Sequence, residues 1–335
     1  SMKTFLIWFK NARYAAIPQS LLPALVAIAF AANSDKFSPI LAFLSVIGVV
    51  FAHLGSNLFD DYFDAKKNDS SYKDRLASKG IRSRIAKCSY LTDGSATLKQ
   101  LKTAAFLFSA FALLLGAIIL FFRIDQLKSI LILVGITAFI GVFYSAWPFR
   151  LSYKGLGEFC IALLFGPLLM QGVYIASCGA TNLPLMFISI PIGILVANIV
   201  YTHAILDFEP DKMIQKKTLA VVLNQKKWMN FFSFLFLFLP FIIIIAGILF
   251  QVIAPIFLLT LLALPLTIWL FLSILDFQKN PSHIPEKKWF HFPMEQWKEV
   301  NQAGIGWFML RWYSARNIII FFCLICSIVA LFFKI

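Results

Sequence analysis

Charge is scarce in this chain of 335 residues, and acid is the scarcer kind: Asp and Glu number 16 against 30 Lys and Arg. Only 14% of the residues are charged, and there are 4 histidines. With 60% hydrophobic residues, 37 of the aromatic ones Phe, and a mean hydropathy of +0.81, the composition excludes an ordinary soluble domain, in which about a quarter of residues carry charge. The net charge of +14 therefore reads as membrane topology, and no nucleic-acid partner is expected. Cysteine is also sparse. Cys88, Cys160, Cys178, Cys323 and Cys326 fall mostly in or beside apolar runs, which favours small packing residues over a disulfide or zinc framework and a packing role over a redox one for the Cys323-x-x-Cys326 spacing. Ser1 reads as a residue added before Met2. The first apolar run follows Arg13 without a small-residue cleavage pattern, so no cleavable signal peptide is expected.

What the chain has in abundance is long apolar runs. A spanning helix needs about 20 apolar residues, and about nine candidates lie near 15–33, 39–59, 103–122, 128–147, 156–176, 184–206, 229–250, 252–275 and 316–334. The expected fold class is an all-α polytopic membrane protein, a single integral membrane domain over 1–335. With the N-terminus inside, only Lys36, Arg123, Lys128 and Lys334 among the basic residues fall to the outer face, which sets the orientation by the positive-inside rule. The inner loops are then about 60–102, 148–155, 207–228 and 276–315. An inner-membrane location with the polar chemistry facing the cytoplasm follows.

Against that background two acidic clusters stand out, each where an apolar run stops. The first is Asn57-Leu-Phe-Asp-Asp-Tyr-Phe-Asp64, in which Asp60 and Asp64 share a helical face and Asp61 lies beside them. The second is His203-Ala-Ile-Leu-Asp-Phe-Glu-Pro-Asp211, with Asp207 and Asp211 again four apart. Carboxylates held this close repel unless a cation lies between them, and hard oxygen ligands suit Mg²⁺, which takes a few carboxylates plus phosphate oxygens. The clusters are expected to form two halves of a magnesium–diphosphate site, with Asn57, Asp60, Asp64, Asp207 and Asp211 as candidate metal ligands.

The basic residues nearby are candidates for the diphosphate: Arg82 and Arg84 in the first long loop, Arg150 and Lys154 in the short loop Tyr144–Glu158, and Lys216 and Lys217 after the second cluster. Each also fits a plain solvated or interfacial reading. Asp61, Tyr144 and His203 are the candidates to polarise or deprotonate an acceptor. The segment 276–315 is polar and aromatic and is expected to lie at the membrane surface, with Glu295 and Glu299 as surface residues paired to nearby Lys298 or to water.

These residues resemble the UbiA superfamily of intramembrane prenyltransferases. The family motif N-D-x-x-D-x-x-x-D is similar to Asp60-Asp61-Tyr-Phe-Asp64-Ala-Lys-Lys-Asn68-Asp69, and D-x-x-x-D to Asp207–Asp211. Asn57-Leu-x-x-Asp-Tyr-Phe-Asp64, Pro148–Glu158, Phe165-Gly-Pro-Leu-Leu169 and the Asp207–Leu219 stretch resemble in particular the 1,4-dihydroxy-2-naphthoate prenyltransferases of menaquinone synthesis. The chain departs from the pattern at Asp60 for the first Asn, at Asn68 with Asp69 one place on, at His203 where Asn is common and at Gln215 where Gly is common. The resemblance implies nine helices around a central cavity, Mg²⁺ as cofactor, a prenyl diphosphate and an aromatic acceptor as partners, and the lipid bilayer as the medium. It implies transfer of a polyprenyl group with loss of the ring carboxylate. Other acceptors within the family are 4-hydroxybenzoate, a tetrapyrrole or a glyceryl phosphate. A reading from another class is a cation-coupled transporter, against which stand carboxylates gathered at helix ends on one side and the lack of an inverted repeat.

Overall fold

A computed structural model describes residues 2–67, 88–213 and 215–333. Among these, nine helices are long and apolar enough to cross a membrane: Tyr14–Ala31, Pro39–Lys66, Leu98–Phe122, Ile124–Phe143, Gly157–Cys178, Leu183–Leu206, Lys226–Leu249, Pro255–Lys279 and Gly306–Phe332. The protein is an all-α integral membrane protein. Helices satisfy every backbone group within the segment, which hydrocarbon demands. The chain divides into two compact units.

The first unit comprises Ser1–Leu151 with Leu168–Asn182. It opens with α1 (Met2–Asn11), whose Phe5 stacks on Phe108 at 5.8 Å and whose Trp8 meets Tyr90 edge-on at 5.7 Å. Arg13, in the left-handed region at φ 62, breaks the helix before α2 (Pro18–Ala31). The main element is α3 (Pro39–Lys67), packed along α5 (Leu98–Phe122), with the short α4 (Ser89–Thr92) between them in sequence. Leu54, Leu58, Leu101, Ala104, Ala105 and Phe108 form their shared core. Thr97 and Gln100 close a capping box at the start of α5, satisfying two orphan backbone donors. None of the side chains of α6 (Leu127–Phe143) is buried, so this helix is apolar on all sides for contact with lipid.

The second unit comprises Ser152–Pro167 with Leu183–Ile335. Its centre is α8 (Leu183–Leu206), buried along most of its length and packed by the first half of α7 (Gly157–Cys178), by α11 (Lys226–Leu249) and by α14 (Gly306–Phe332). A π-helical turn at Leu164–Leu168 interrupts α7 where Pro167 has no N–H to give to the ladder. Between α8 and α11 lie two short helices, α9 (Phe208–Met213) and α10 (Leu219–Leu223). The span Pro255–Lys279 begins as 3₁₀ helix and ends in α12 (Leu264–Lys279), and α13 (Trp297–Gln302) precedes α14.

Two expectations from the sequence need correction. The second span does not end at 59: α3 continues to Lys67, so the whole first acidic cluster is helical. The last span begins at Gly306 rather than 316, which takes Trp307, Arg311, Trp312 and Tyr313 out of the surface segment and into a membrane helix. Arg311 is fully buried there, with Nε donating to Ser273 Oγ at 2.9 Å and Nη1 to Trp307 O at 2.8 Å, and its guanidinium lies over Phe277. Glu295 is an exposed residue as expected, but its partner is Arg316 rather than Lys298 or water. It receives Arg316 Nη1 at 2.6 Å, and its carbonyl accepts the Tyr313 hydroxyl at 2.7 Å.

Candidate active site

The first acidic motif occupies the last turns of α3. Asp61 is 1% exposed and Asp64 6%, so both need compensation for lost hydration. For Asp61 the compensation is visible. Arg13 Nη1 donates to Oδ1 at 2.5 Å and the Tyr90 hydroxyl donates to Oδ2 at 2.8 Å. Burial, then the Asp61 charge, raises the Tyr90 phenol well above its ordinary value and keeps it a donor. Burial alone would lower Arg13, but Asp61 and Asp60 outweigh it and hold the guanidinium above its ordinary value. Both Asp61 oxygens thus carry donors, and the residue acts as a strut between α3, the Arg13 turn and α4.

Asp60 is more open. Ser145 Oγ donates to its Oδ1 at 2.6 Å, and Arg13 Nη2 stands 3.8 Å from its Oδ2. Asn57 donates through Nδ2 to Ala12 O at 3.0 Å and receives Arg13 Nη2 at its own carbonyl at 3.4 Å. Asn57 thus belongs to the same knot as Arg13. Tyr144, next to Ser145, is half-buried, as is Arg150, which sits in the left-handed region at φ 43. Arg82 and Arg84 lie outside the described residues. Sequence reasoning misses Arg13, Tyr90 and Ser145; Arg13 counts there only toward the positive-inside balance.

In the second unit, His203 Nε2 meets Asp207 Oδ2 at 2.8 Å along one face at the end of α8, as the four-residue spacing predicts. The edge of the His203 ring faces Phe308 of α14 at 5.1 Å. Asp207 and Asp211 are each 1% exposed. The Asp211 N–H donates to Asp207 O at 2.9 Å, and the Lys216 N–H returns to Asp211 O at 2.9 Å, closing the turn after α9. Lys216 is half-buried, whereas Lys217 and Lys154 are exposed. The structure therefore separates two lysines that the sequence treats alike. Gln215 takes φ 57, the left-handed region that favours glycine.

A model of the UbiA prenyltransferase family matches residues 20–293. The chain belongs to the UbiA prenyltransferase family. Among curated UbiA relatives, it is 27% identical over 207 residues to a UbiA prenyltransferase domain-containing protein 1 of Dictyostelium discoideum, covering 61% of this chain and 59% of that protein. It is 27% identical over 208 residues to the 1,4-dihydroxy-2-naphthoate octaprenyltransferase of Bacillus subtilis, covering 62% of each. The chain thus spans about three fifths of the length of these two relatives. Among solved structures, that of a UbiA homolog from Archaeoglobus fulgidus bound to DMAPP and Mg²⁺ superposes with a TM-score of 0.55 at 19% identity, over 96% of this chain and 99% of that one. A digeranylgeranylglyceryl phosphate synthase structure gives a TM-score of 0.62 at 16% identity, over 98% and 99%. At these identities the superpositions establish the UbiA fold.

The donor set of each motif fits the Mg²⁺ that the family implies. Among the described residues no three His, Cys, Asp or Glu side chains gather into a group that could hold an ion by themselves. Mg²⁺ asks for less, since it keeps several waters and binds through one or two carboxylates together with substrate phosphates. Asp60 and Asp64 in the first unit, and Asp207 and Asp211 in the second, offer such hard oxygens at i and i+4.

Proposed function

We propose that this UbiA protein transfers a polyprenyl group from a prenyl diphosphate to an aromatic acceptor, 1,4-dihydroxy-2-naphthoate, in a Mg²⁺-dependent reaction on the cytoplasmic face of a bacterial inner membrane. The observation that carries the proposal is the pair of Asp-x-x-x-Asp arrangements at membrane-helix ends, in which Asp64, Asp207 and Asp211 are near-completely buried and Asp60 is half-buried. The names of the B. subtilis relative and of a 2-carboxy-1,4-naphthoquinone phytyltransferase of Synechocystis, 32% identical over 127 residues, support the naphthoate acceptor. The whole chain would act as one membrane domain.

In this reading Asp60, Asp64, Asp207 and Asp211, with Asn57 beside the first pair, hold the magnesium diphosphate. The metal would neutralise the diphosphate and stabilise it as a leaving group. Lys216, half-buried on the turn after Asp211, is a candidate cation to bond the oxygens as negative charge develops, with Arg150, Lys154, Lys217, Arg82 and Arg84 as further candidates. Asp61 positions Arg13. His203 and Tyr144 remain the groups to polarise the acceptor hydroxyl. The allylic C–O bond breaks as the ring carbon bearing the carboxylate forms the new C–C bond. Diphosphate departs with the electron pair of that C–O bond, and CO₂ then leaves without its bonding pair, which restores the aromatic ring.

The test is product analysis by mass spectrometry of the purified protein with Mg²⁺ and a prenyl diphosphate, offering 1,4-dihydroxy-2-naphthoate and 4-hydroxybenzoate in parallel. A decarboxylated prenyl-naphthoquinol from the first acceptor alone is expected. Product from the benzoate alone would move the protein to another acceptor class, and cation flux without release of diphosphate would replace the reading with a transporter.

A further inference from the structure

The second unit buries an acid that the proposed reaction does not use. Glu158 lies in the first turn of α7 and is only 3% exposed. Its carboxylate lies near the backbone of Leu219, the first residue of α10, with Lys216 and Asp211 as its charged neighbours. The acid thus sits in the first turn of α7, where the helix dipole favours a negative charge, and faces the turn that leads into α10. The hydroxyl of Thr218 caps the same end of α10, accepting Val221 N–H at 3.4 Å.

A second contact lies three residues earlier. Gly155 N–H donates to Lys217 O at 3.0 Å. Gly155 has φ 75, and a Cβ placed on it would come within 3.0 Å of Val222 Cγ2. Only glycine both takes that conformation and lets the loop close this tightly on α10. The stretch Gly155–Glu158 thus holds the Lys216–Lys217 turn by the bond to Lys217 O and packs the buried Glu158 beside Lys216 and Leu219, while the turn itself is tied back to Asp211.

We propose that Gly155 and Glu158 are positioning residues, a brace that fixes the turn after the second acidic motif so that Lys216 is presented beside Asp211 to a diphosphate. The proposal rests on the diphosphate reading above and deepens it. Lys216 has a long, flexible stem, and a lysine held in place loses less freedom on binding an anion than one on a loose loop. The brace also explains how a left-handed Gln215 persists in that turn, since the surrounding contacts over-determine the backbone.

The test uses the full chain and two readouts: calorimetric binding of geranyl diphosphate with Mg²⁺, and hydrogen exchange of the backbone over 215–222. Glu158→Ala and Gly155→Ala are expected to weaken binding about tenfold, the scale of one charge-assisted contact, and to speed exchange in that stretch alone. Lys216→Ala should weaken binding comparably without faster exchange. Adding Glu158→Ala to Lys216→Ala should then cost no further affinity, a non-additivity that a merely structural role would not produce. Glu158→Gln keeps the packing of the buried side chain and drops the charge, so it should retain slow exchange; it carries the test if the alanine variant fails to fold. Wild-type affinity and exchange in Glu158→Ala, or full additivity with Lys216→Ala, overturns the brace while leaving the diphosphate reading in place. Failure of the wild-type protein to bind magnesium geranyl diphosphate overturns both.

Discussion

The two acidic motifs have the same spacing but are neutralised differently. In the first, a permanently charged guanidinium is built in: Arg13 reaches Asp61 at 2.5 Å and Asp60 at 3.8 Å, with Tyr90 and Ser145 supplying neutral donors. In the second, Asp207 meets an imidazole, and a flexible cation, Lys216, stands on the loop that follows. A carboxylate cluster with its own fixed cation can be buried and rigid before any ligand arrives. One that meets a histidine, and whose cation sits on a braced turn, has more of its charge balance left to the ligand. On the proposed diphosphate reading, the difference gives the first motif a scaffold role as well as a binding one, and the second chiefly a binding role.

The sharpest way to break this comparison is to neutralise one carboxylate in each motif. Asp64→Asn and Asp211→Asn are each expected to lower kcat by about a thousandfold or more, as loss of a directly engaged electrostatic group does. Their thermal unfolding in detergent should stay close to wild type; near-normal turnover in both would remove the shared assignment. Next in size is the contrast between partners. Arg13→Ala leaves Asp61 buried without its cation and should cost about 2–4 kcal/mol of stability. Tyr90→Phe should cost about 1–2 kcal/mol, because Asp61 Oδ2 loses its donor in a dry setting. His203→Ala should cost about 1 kcal/mol, the scale of one hydrogen bond, and register mainly as a raised KM. If His203→Ala destabilises more than Arg13→Ala, the scaffold role belongs to the second motif instead.

Most of the fold was legible because hydrocarbon imposes one rule on every span, and a run such as 184–206 obeys it without exception. The rule fails where a charge inside a span is solvated by protein. Arg311 breaks the apolar pattern of α14, and its partners Ser273 and Phe277 are 38 and 34 residues away along the chain, so hydropathy alone starts the helix too late. The site divides along the same line. His203 and Asp207 lie one turn apart at the end of α8, and their contact followed from a spacing of four. The partners of the first motif come from separations of 48, 29 and 85 residues, at Arg13, Tyr90 and Ser145, and nothing local in the sequence marks them. Gln215 was legible in a different way. Its departure from the glycine common in the family marks a position whose backbone is left-handed.

That position gives the smallest and most local test. Gln215 is exposed, lies four residues after Asp211 and holds φ 57 with a side chain that disfavours it. Gln215→Gly removes the Cβ strain but frees the unfolded chain, and the two effects oppose each other. The expected net gain is at most about 1 kcal/mol, read as a small rise in unfolding temperature. Affinity for magnesium geranyl diphosphate should remain within about twofold of wild type, because the bonds at Lys216 N and Lys217 O hold the turn whichever residue occupies 215. A several-fold loss of affinity in Gln215→Gly would mean that the turn is held by its own backbone strain rather than by the surrounding contacts, and would return the second motif to the status of a loose loop.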